Sequence, residues 1–235
     1  MPVTVAKTAG FCFGVRRAVD TVYRQLEESC RTESPKLYTL GEIIHNPQVV
    51  EELNDLGAVA VEQLPELLTL EQTEKIPVII RSHGVGREVY ARLEAREAEI
   101  VDATCPFVKR IHGLVSRAEE EGRLPIIIGT PTHPEVEGIA GWCTACKIFD
   151  SADSLKKWVV EERIAADLPI CMVCQTTSTE NLWKLCRNFA KKQFTNLKIF
   201  DTICKATEDR QTEAALLSRR SQAMVVVGDA KSSNT

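Results

Sequence analysis

No stretch of this chain approaches the roughly 18 consecutive apolar residues of a membrane-spanning helix, so no membrane partner is expected. There is no basic surplus either. The 29 Lys and Arg residues stand against 33 Asp and Glu, for a formal net charge of −4 and a pI of about 5.7, and nucleic acid is not an expected partner. The opening MPVTVAKTAGFCFGV lacks the charged segment, apolar core and small-residue cleavage site of a secretory signal, which makes the cytoplasm the expected compartment. Pro/Gly-rich linkers and low-complexity tracts are missing, so compact units are expected rather than beads on a string. The GDAKSSN stretch lacks the G-x-x-x-x-G-K spacing of a P-loop. Nine cysteines is an odd count, which argues against a secreted disulfide framework and for reduced thiols.

With 44% hydrophobic residues over 235 positions, the chain can bury a substantial core in one or two domains. Its most informative feature is the placement of three cysteines. Cys12 (AGFCFGV), Cys105 (DATCPFV) and Cys204 (DTICKAT) each follow a short apolar run and precede a helical one, 93 and 99 residues apart. A polar loop follows each at a similar interval: His45 after 33 residues, His133 after 28, and Ser232-Ser233-Asn234 after 28. This is a threefold internal repeat whose equivalent points can face one centre. Thiolates ligate soft metals and iron–sulfur clusters, and the cysteine-dense runs of ferredoxins fill a cluster with four. Three leave one iron open as a Lewis acid for a substrate oxygen.

A single cysteine is more often a small buried hydrophobe than a ligand. Cys30 and Cys186 fall in amphipathic helical patterns and are left with that reading. Cys143-x-x-Cys146 and Cys171-x-x-Cys174 together have the form of a zinc site. Cys171 and Cys174, however, lie in LPICMVCQTT, a strand-like run in which residues three apart point to opposite faces, so simple burial is expected instead.

Strand-like runs occur at 3–6, 36–40, 58–61, 77–81, 99–103, 125–129, 147–149, 169–173, 197–201 and 223–228, with helical patterns between most of them. In the first helix Val15, Ala18, Val19, Val22, Tyr23 and Leu26 form one apolar face. Asn46-Pro47 predicts an N-cap followed by proline at the first helical position, and Thr177-x-x-Glu180 predicts a capping box. Such alternation implies parallel sheets in α/β layers. Ligands in these folds sit in loops at strand ends. Four loops qualify: GEIIHNP with His45, RSHGV with His83, THPEVEG with His133 and Glu135, and QTT with Gln175, Thr176 and Thr177. His112 lies inside a helical pattern and is assigned no role. Thr177 is expected to cap its helix, which leaves Thr176 for substrate.

The ordered set AGFCFGVRRAV, GEIIHNP, RSHGV, DATCPFV, THPEVEG, QTT, DTIC and SSN resembles the LytB/IspH family of 4-hydroxy-3-methylbut-2-enyl diphosphate reductases, over nearly the whole chain. The resemblance implies an α/β fold of three pseudo-threefold-related units, a cloverleaf, around a central [4Fe–4S] cluster. The units would be 13–104, 105–203 and 204–235, the third completed by 1–12. It implies reductive dehydroxylation of an allylic diphosphate to isopentenyl and dimethylallyl diphosphates, the last step of the methylerythritol phosphate route, with electrons from a ferredoxin or flavodoxin. Carried over by motif, Cys12, Cys105 and Cys204 would ligate the cluster, and Glu135 would be the proton source, aided by His133 and Thr176. His45, His83, His133, Thr176, Ser232, Ser233 and Asn234 would hold the substrate, its diphosphate on His45, His83 and the three C-terminal residues. Other classes with part of this pattern are a three-cysteine cluster enzyme of the quinolinate synthase type and a non-catalytic zinc module built on the CxxC pairs.

One departure follows from the repeat. The third unit is expected to be incomplete, continuing by the repeat for about 40 residues beyond Thr235 to another ligand loop and covering helix. Its strand at 223–228 is expected to leave apolar surface open, and the chain is expected to fold poorly or to bind diphosphate weakly.

Overall fold

The protein is described from a computed structural model covering residues 3–31, 37–69 and 77–235, with the side chains of Cys30 and Arg31 outside the described residues. The chain divides into two compact units. One comprises Phe11–Lys109 with Gly228–Ser232, and the other comprises 3–10, Arg110–Val227 and Ser233–Thr235.

The first unit carries α1 (Phe13–Arg31), β1 (Leu37–Leu40), α2 (Pro47–Asp55), β2 (Ala58–Val61), α3 (Leu64–Thr69), β3 (Val78–Ile80), α4 (Arg87–Glu94) and β4 (Ile100–Asp102). Its four strands are all parallel, in the order β2-β1-β3-β4. Period-2 alternation sends Leu37 and Ile79 to one face, against Ala18, Val19, Val22 and Leu26 of α1 and Leu53 of α2. Leu40, Val78 and Ile80 meet Leu64 and Leu67 of α3 and Leu93 of α4 on the other face. The apolar face of α1 read from sequence is therefore the buried one. Asn46 caps α2 as expected, its side chain accepting from the Val49 N–H with Pro47 at the first helical position.

The second unit repeats this plan. After α5 (Pro106–Glu120) come β5 (Leu124–Ile128), α6 (Pro134–Ala140), β6 (Lys147–Phe149), α7 (Ala152–Glu161), β7 (Ile170–Cys174), α8 (Glu180–Gln193), β8 (Leu197–Ile199) and α9 (Lys205–Ser218). The parallel order is β6-β5-β7-β8, the same permutation as the first sheet. Ile127, Cys171 and Val173 pack on α5 and α6, whereas Ile126, Ile128, Ile170, Met172 and Cys174 pack on α7 and α8. A sheet covered on both faces explains why LPIII and ICMVC are unbroken apolar runs. In both sheets the chain first steps outward from the leading strand, then crosses back to the strand on its other side. That reversal creates a switch point between β1 and β3, and again between β5 and β7.

Two expected strands are not present. Residues 3–6 and 223–228 are irregular, with Val3, Val5, Val225 and Val227 at 88%, 75%, 84% and 91% exposure. An apolar run becomes a strand only when a neighbour takes its backbone hydrogen bonds, and among the described residues neither run pairs with one. The capping box is also displaced. Thr179, not Thr177, caps α8, accepting from the Leu182 N–H, while the Thr177 hydroxyl accepts from Gln175 Nε2. Lys36, the first residue of one expected strand run, lies outside the described residues.

Candidate active site

The loops at the two switch points carry the histidine and threonine motifs, each unit supplying a pair. In the first unit, His45 follows β1 and His83 follows β3. The Ser82 N–H donates to the Ile43 carbonyl (3.3 Å), joining the two loops. The imidazoles stack with centroids 4.5 Å apart, and His45 Nδ1 lies 3.5 Å from Glu42 Oε2. Both rings are partly exposed. Gly84 turns the chain behind His83 with φ +71°, a left-handed conformation that a side chain would strain. Ser232 belongs to the same unit, its N–H donating to the Asp229 carbonyl (3.1 Å). The neighbouring Lys231 Nζ reaches Glu42 Oε1 at 3.4 Å.

In the second unit, His133 ends the loop after β5 and Thr176 lies in the loop after β7. His133 is the N-cap of α6: its Nδ1 accepts from the Glu135 N–H (3.1 Å), which assigns the neutral ring's hydrogen to Nε2. Glu135 is buried, at 3% exposure. Its Oε1 accepts from the Thr176 N–H (2.6 Å) and its Oε2 pairs with Thr176 Oγ1 (2.7 Å). Desolvation raises the carboxyl's pKa above the ordinary value, and the two hydrogen bonds from Thr176 only partly oppose it. Burial thus favours the neutral form of the Glu135 carboxyl, and the Thr176 hydroxyl lies on its Oε2.

Gln175, named from sequence only as part of the QTT loop and given no role there, binds this loop together. Its Oε1 accepts from the Thr130 N–H (3.1 Å), and its Nε2 donates to Thr177 Oγ1 (2.9 Å) and Ser233 Oγ (3.3 Å). Room for it comes from Gly129, where a Cβ would lie 2.8 Å from Gln175 Cβ and 2.9 Å from Val136 Cγ2. We expect Gly129→Ala to lower unfolding free energy by about 1–3 kcal/mol through this overpacking; an unchanged denaturation midpoint would refute the close fit. Asn234 accepts from Thr207 Oγ1 through its Oδ1 (3.3 Å).

The three repeat cysteines share one backbone setting. Each immediately precedes a helix, and each carbonyl accepts the first helical bond: Arg16 N–H to Cys12 (2.9 Å), Lys109 N–H to Cys105 (3.0 Å) and Glu208 N–H to Cys204 (3.2 Å). Cys105 donates its N–H to the Ser82 carbonyl (2.9 Å) in its unit, and Cys204 donates to the Thr176 carbonyl (3.0 Å) in the other. All three are partly exposed and none is in a disulfide.

Cys12 and Cys105 are brought together. A Cβ built on Gly14 would lie 2.6 Å from Cys105 Sγ and 4.0 Å from Cys12 Sγ, so the hydrogen of Gly14 faces both sulfurs. Cys204 Sγ sits 3.1 Å from Thr207 Oγ1 in the second unit. Reduced, accessible sulfurs at three helix starts, two of them around a glycine, suit a thiolate-ligated cluster. Gly14→Ala is expected to keep α1 but force Cys105 from its rotamer. Iron content should fall while helicity is retained, and full iron loading would contradict the cradle.

The Cys105 loop is pinned from two sides by residues that sequence reasoning overlooked. Arg17 donates to the Thr104 (3.0 Å) and Asp102 (3.3 Å) carbonyls. Asp102 accepts from the Thr104 N–H (2.9 Å), Tyr90 OH (3.0 Å) and Lys109 Nζ (2.6 Å). Burial alone would raise the Asp102 pKa, but its bonds from Lys109 and Thr104 together outweigh it and hold the carboxyl low. Burial, with the Asp102 charge beside it, pushes the Tyr90 phenol up to about 12.

The other cysteines divide as the alternation of β7 requires. Cys171 and Cys174 enter cores on opposite faces of the sheet, so they cannot complete one zinc site with Cys143 and Cys146. Cys186 is on the buried face of α8. His112 is buried in α5 and stacks on Trp142 at 5.1 Å, a packing role.

Similarity to known proteins points the same way. The family model described as LytB protein matches residues 3–235. A 4-hydroxy-3-methylbut-2-enyl diphosphate reductase of Thermoanaerobacter sp. (strain X514) is 41% identical over 239 residues, covering 100% of this chain and 78% of that protein. The protein of the same name in Alkaliphilus oremlandii (strain OhILAs) is 39% identical over 235 residues, covering 100% and 79%. The solved E-1-hydroxy-2-methyl-but-2-enyl-4-diphosphate reductase of Plasmodium falciparum has a TM-score of 0.84 and 28% identity, over 96% of this chain and 68% of that one. A second solved structure, of (E)-4-hydroxy-3-methyl-but-2-enyl diphosphate reductase, has a TM-score of 0.72 and 34% identity, over 99% and 78%. The α/β cloverleaf that the resemblance implies is the fold this chain shares with them. Matched by that family model over residues 3–235 and 41% identical to a reductase of which it covers 78%, the chain belongs to the LytB family.

Proposed function

We propose that the chain is a 4-hydroxy-3-methylbut-2-enyl diphosphate reductase, an oxidoreductase that removes the substrate hydroxyl and yields isopentenyl and dimethylallyl diphosphates. The observation that carries this reading is the buried Glu135 carboxyl held by both the N–H and the hydroxyl of Thr176. Loss of a hydroxyl as water requires a proton at the departing oxygen, and a carboxyl whose burial favours its neutral form can store one. When Glu135 is protonated on Oε2, Thr176 Oγ1 can accept that hydrogen and turn its own outward. The pair then presents a proton at a hydroxyl beside the β5/β7 switch point.

His133 Nε2–H adds a neutral donor. His45, His83, Ser232, Ser233 and Asn234 hold the diphosphate through imidazole and amide N–H and hydroxyl groups, which bind an anion without a basic patch. A [4Fe–4S] cluster on Cys12, Cys105 and Cys204 would supply electrons and, at the iron that three thiolates leave open, Lewis acidity. A ferredoxin or flavodoxin is the proposed electron donor, and the cytoplasm the proposed compartment. The unit boundaries 13–104, 105–203 and 204–235 with 1–12 stand as part of the same proposal. Support for grouping the N-terminal segment with α9 comes from Glu213, which accepts from the Lys7 and Thr8 N–H groups (both 2.8 Å) and the Thr8 hydroxyl (2.6 Å).

The test is anaerobic reconstitution with iron and sulfide, followed by Mössbauer spectra with and without the hydroxylated allylic diphosphate. About four irons per chain, one of them shifting when substrate is added, is the expected result. Zinc in place of iron would overturn the cluster, and an intact cluster blind to substrate would overturn the substrate assignment.

A further inference from the structure

The CxxC turn lies outside everything assigned above. Cys143 and Cys146 stand between the end of α6 and the start of β6, both partly exposed, with the exposed Thr144 and Ala145 between them. The turn is tethered: the Cys143 N–H donates to the Ala140 carbonyl (3.3 Å), and the Thr144 N–H donates to Glu119 Oε1 of α5. Cys143 has one S–H, which can serve either the Ala140 oxygen, 3.5 Å from its Sγ, or the Cys146 sulfur. Neither sulfur is in a disulfide.

Structural zinc takes four ligands and catalytic zinc three. Among the described residues no third His, Cys, Asp or Glu atom joins these two thiols at metal-ligand spacing. Two partly exposed thiols three residues apart on a tied-down turn fit two-electron thiol exchange instead.

The buried cysteines of the same unit provide the contrast. Burial pushes Cys171, Cys174 and Cys186 up to about 11, 12 and 11, respectively, so roughly one in 10⁴ or fewer is thiolate at neutral pH. The hydrogen bond from Cys143 moves Cys146 the other way, below the ordinary thiol value, against the effect of its partial burial.

We propose that Cys143 and Cys146 form a redox-active dithiol that exchanges with small-molecule disulfides such as oxidised glutathione. The Cys146 thiolate attacks one sulfur of the small disulfide, forming a mixed disulfide and releasing one thiolate. Cys143 loses its proton to solvent and attacks the Cys146 sulfur, releasing the second. The two protein thiols are oxidised to one disulfide, and the small disulfide is reduced to two thiols. Closing the bond removes the Cys143 hydrogen from the Ala140 carbonyl, so the last turn of α6 senses the redox state. That helix carries Glu135 in its first turn.

The experiment treats anaerobically purified, cluster-loaded protein with oxidised glutathione, quenches with acid, alkylates the remaining thiols and maps peptides by mass. The 143–146 peptide should lose two hydrogens before Cys171, Cys174 or Cys186 changes. Cys143→Ser should accumulate one glutathione on Cys146, while Cys146→Ser should react at least about tenfold more slowly. A wild-type 143–146 peptide that stays reduced while the buried cysteines react, or single variants that react at equal rates, would overturn the proposal.

Discussion

Cys105→Ser should abolish iron loading and reductase turnover while leaving the fold intact. Serine occupies nearly the same volume, and the backbone contacts that place this residue survive the change. These are the N–H on the Ser82 carbonyl, the carbonyl receiving Lys109, and the Arg17 and Asp102 braces on Thr104. What is lost is the soft sulfur beside Gly14 and Cys12. A hydroxyl remains protonated at neutral pH and is a poor partner for iron–sulfur clusters, which select thiolates. Iron should fall from about four per chain to near zero, the brown absorbance should vanish, and the circular dichroism spectrum of the apoprotein should match that of wild-type apoprotein. A variant retaining the full complement of iron would remove Cys105 from the ligand set.

Glu135→Gln should reduce turnover by about 10²- to 10⁴-fold with little change in substrate affinity. The amide keeps the shape and an oxygen for the Thr176 N–H (2.6 Å in the native pair) but has no proton to give. The same substitution has a thermodynamic signature. Burial raises the folded-state pKa of Glu135 above its unfolded value, so its contribution to stability is fully present below the unfolded value, near pH 4. That contribution is lost as pH rises through the folded pKa. The glutamine variant cannot titrate, so its stability relative to wild type should grow with pH over that window and then level off. Denaturant titrations at a series of pH values measure this directly; a stability difference that stays flat would mean that Glu135 is not held protonated. Asp102 bears the opposite sign. Its depressed pKa contributes stability above its unfolded value that is lost as pH falls through the folded one.

The elements most legible in the chain were those whose cause is local. The β7 cysteines were separable by alternation alone, because a strand has one period and ICMVC obeys it. Asn46 followed by proline specifies a helix start almost without competitors. The start of α8 was harder. Thr176, Thr177, Ser178 and Thr179 can all cap in principle, and Gln175 decides the matter by engaging the Thr177 hydroxyl from two residues upstream. Runs such as AMVVVG show the limit of apolar patterning, which records what could be buried but not whether a neighbour exists.

The site divides along the same line. His45, His83, His133 and Thr176 were visible as residues of strand-end loops, because abrupt polarity marks such loops in an α/β fold. The contacts of Arg17, Asp102 and Gln175 were not, because they reach 87, 12 and 58 residues along the chain, to Thr104, Tyr90 and Ser233. No periodicity records such pairs. Even a well-read motif withheld its detail: THPEVEG marks a polar loop, but that the His133 ring itself caps α6 emerges only when Nδ1 meets the Glu135 N–H.

The shared strand permutation also bears on how the chain acquires its structure. Among the described residues, 37–102 contain every strand of the first sheet and 124–199 every strand of the second, with none exchanged. Each sheet can therefore close through loops of a few tens of residues, and loop-closure entropy grows only slowly with length. Parallel pairing delayed by crossover helices is slow relative to a helical bundle, but here the delay is confined within each half. During synthesis the amino-terminal sheet has all its strands before the carboxy-terminal one has emerged, so vectorial folding in two stages is available. Pulse-labelled amide exchange should then resolve the β1–β4 amides from the β5–β8 amides as two cooperative sets.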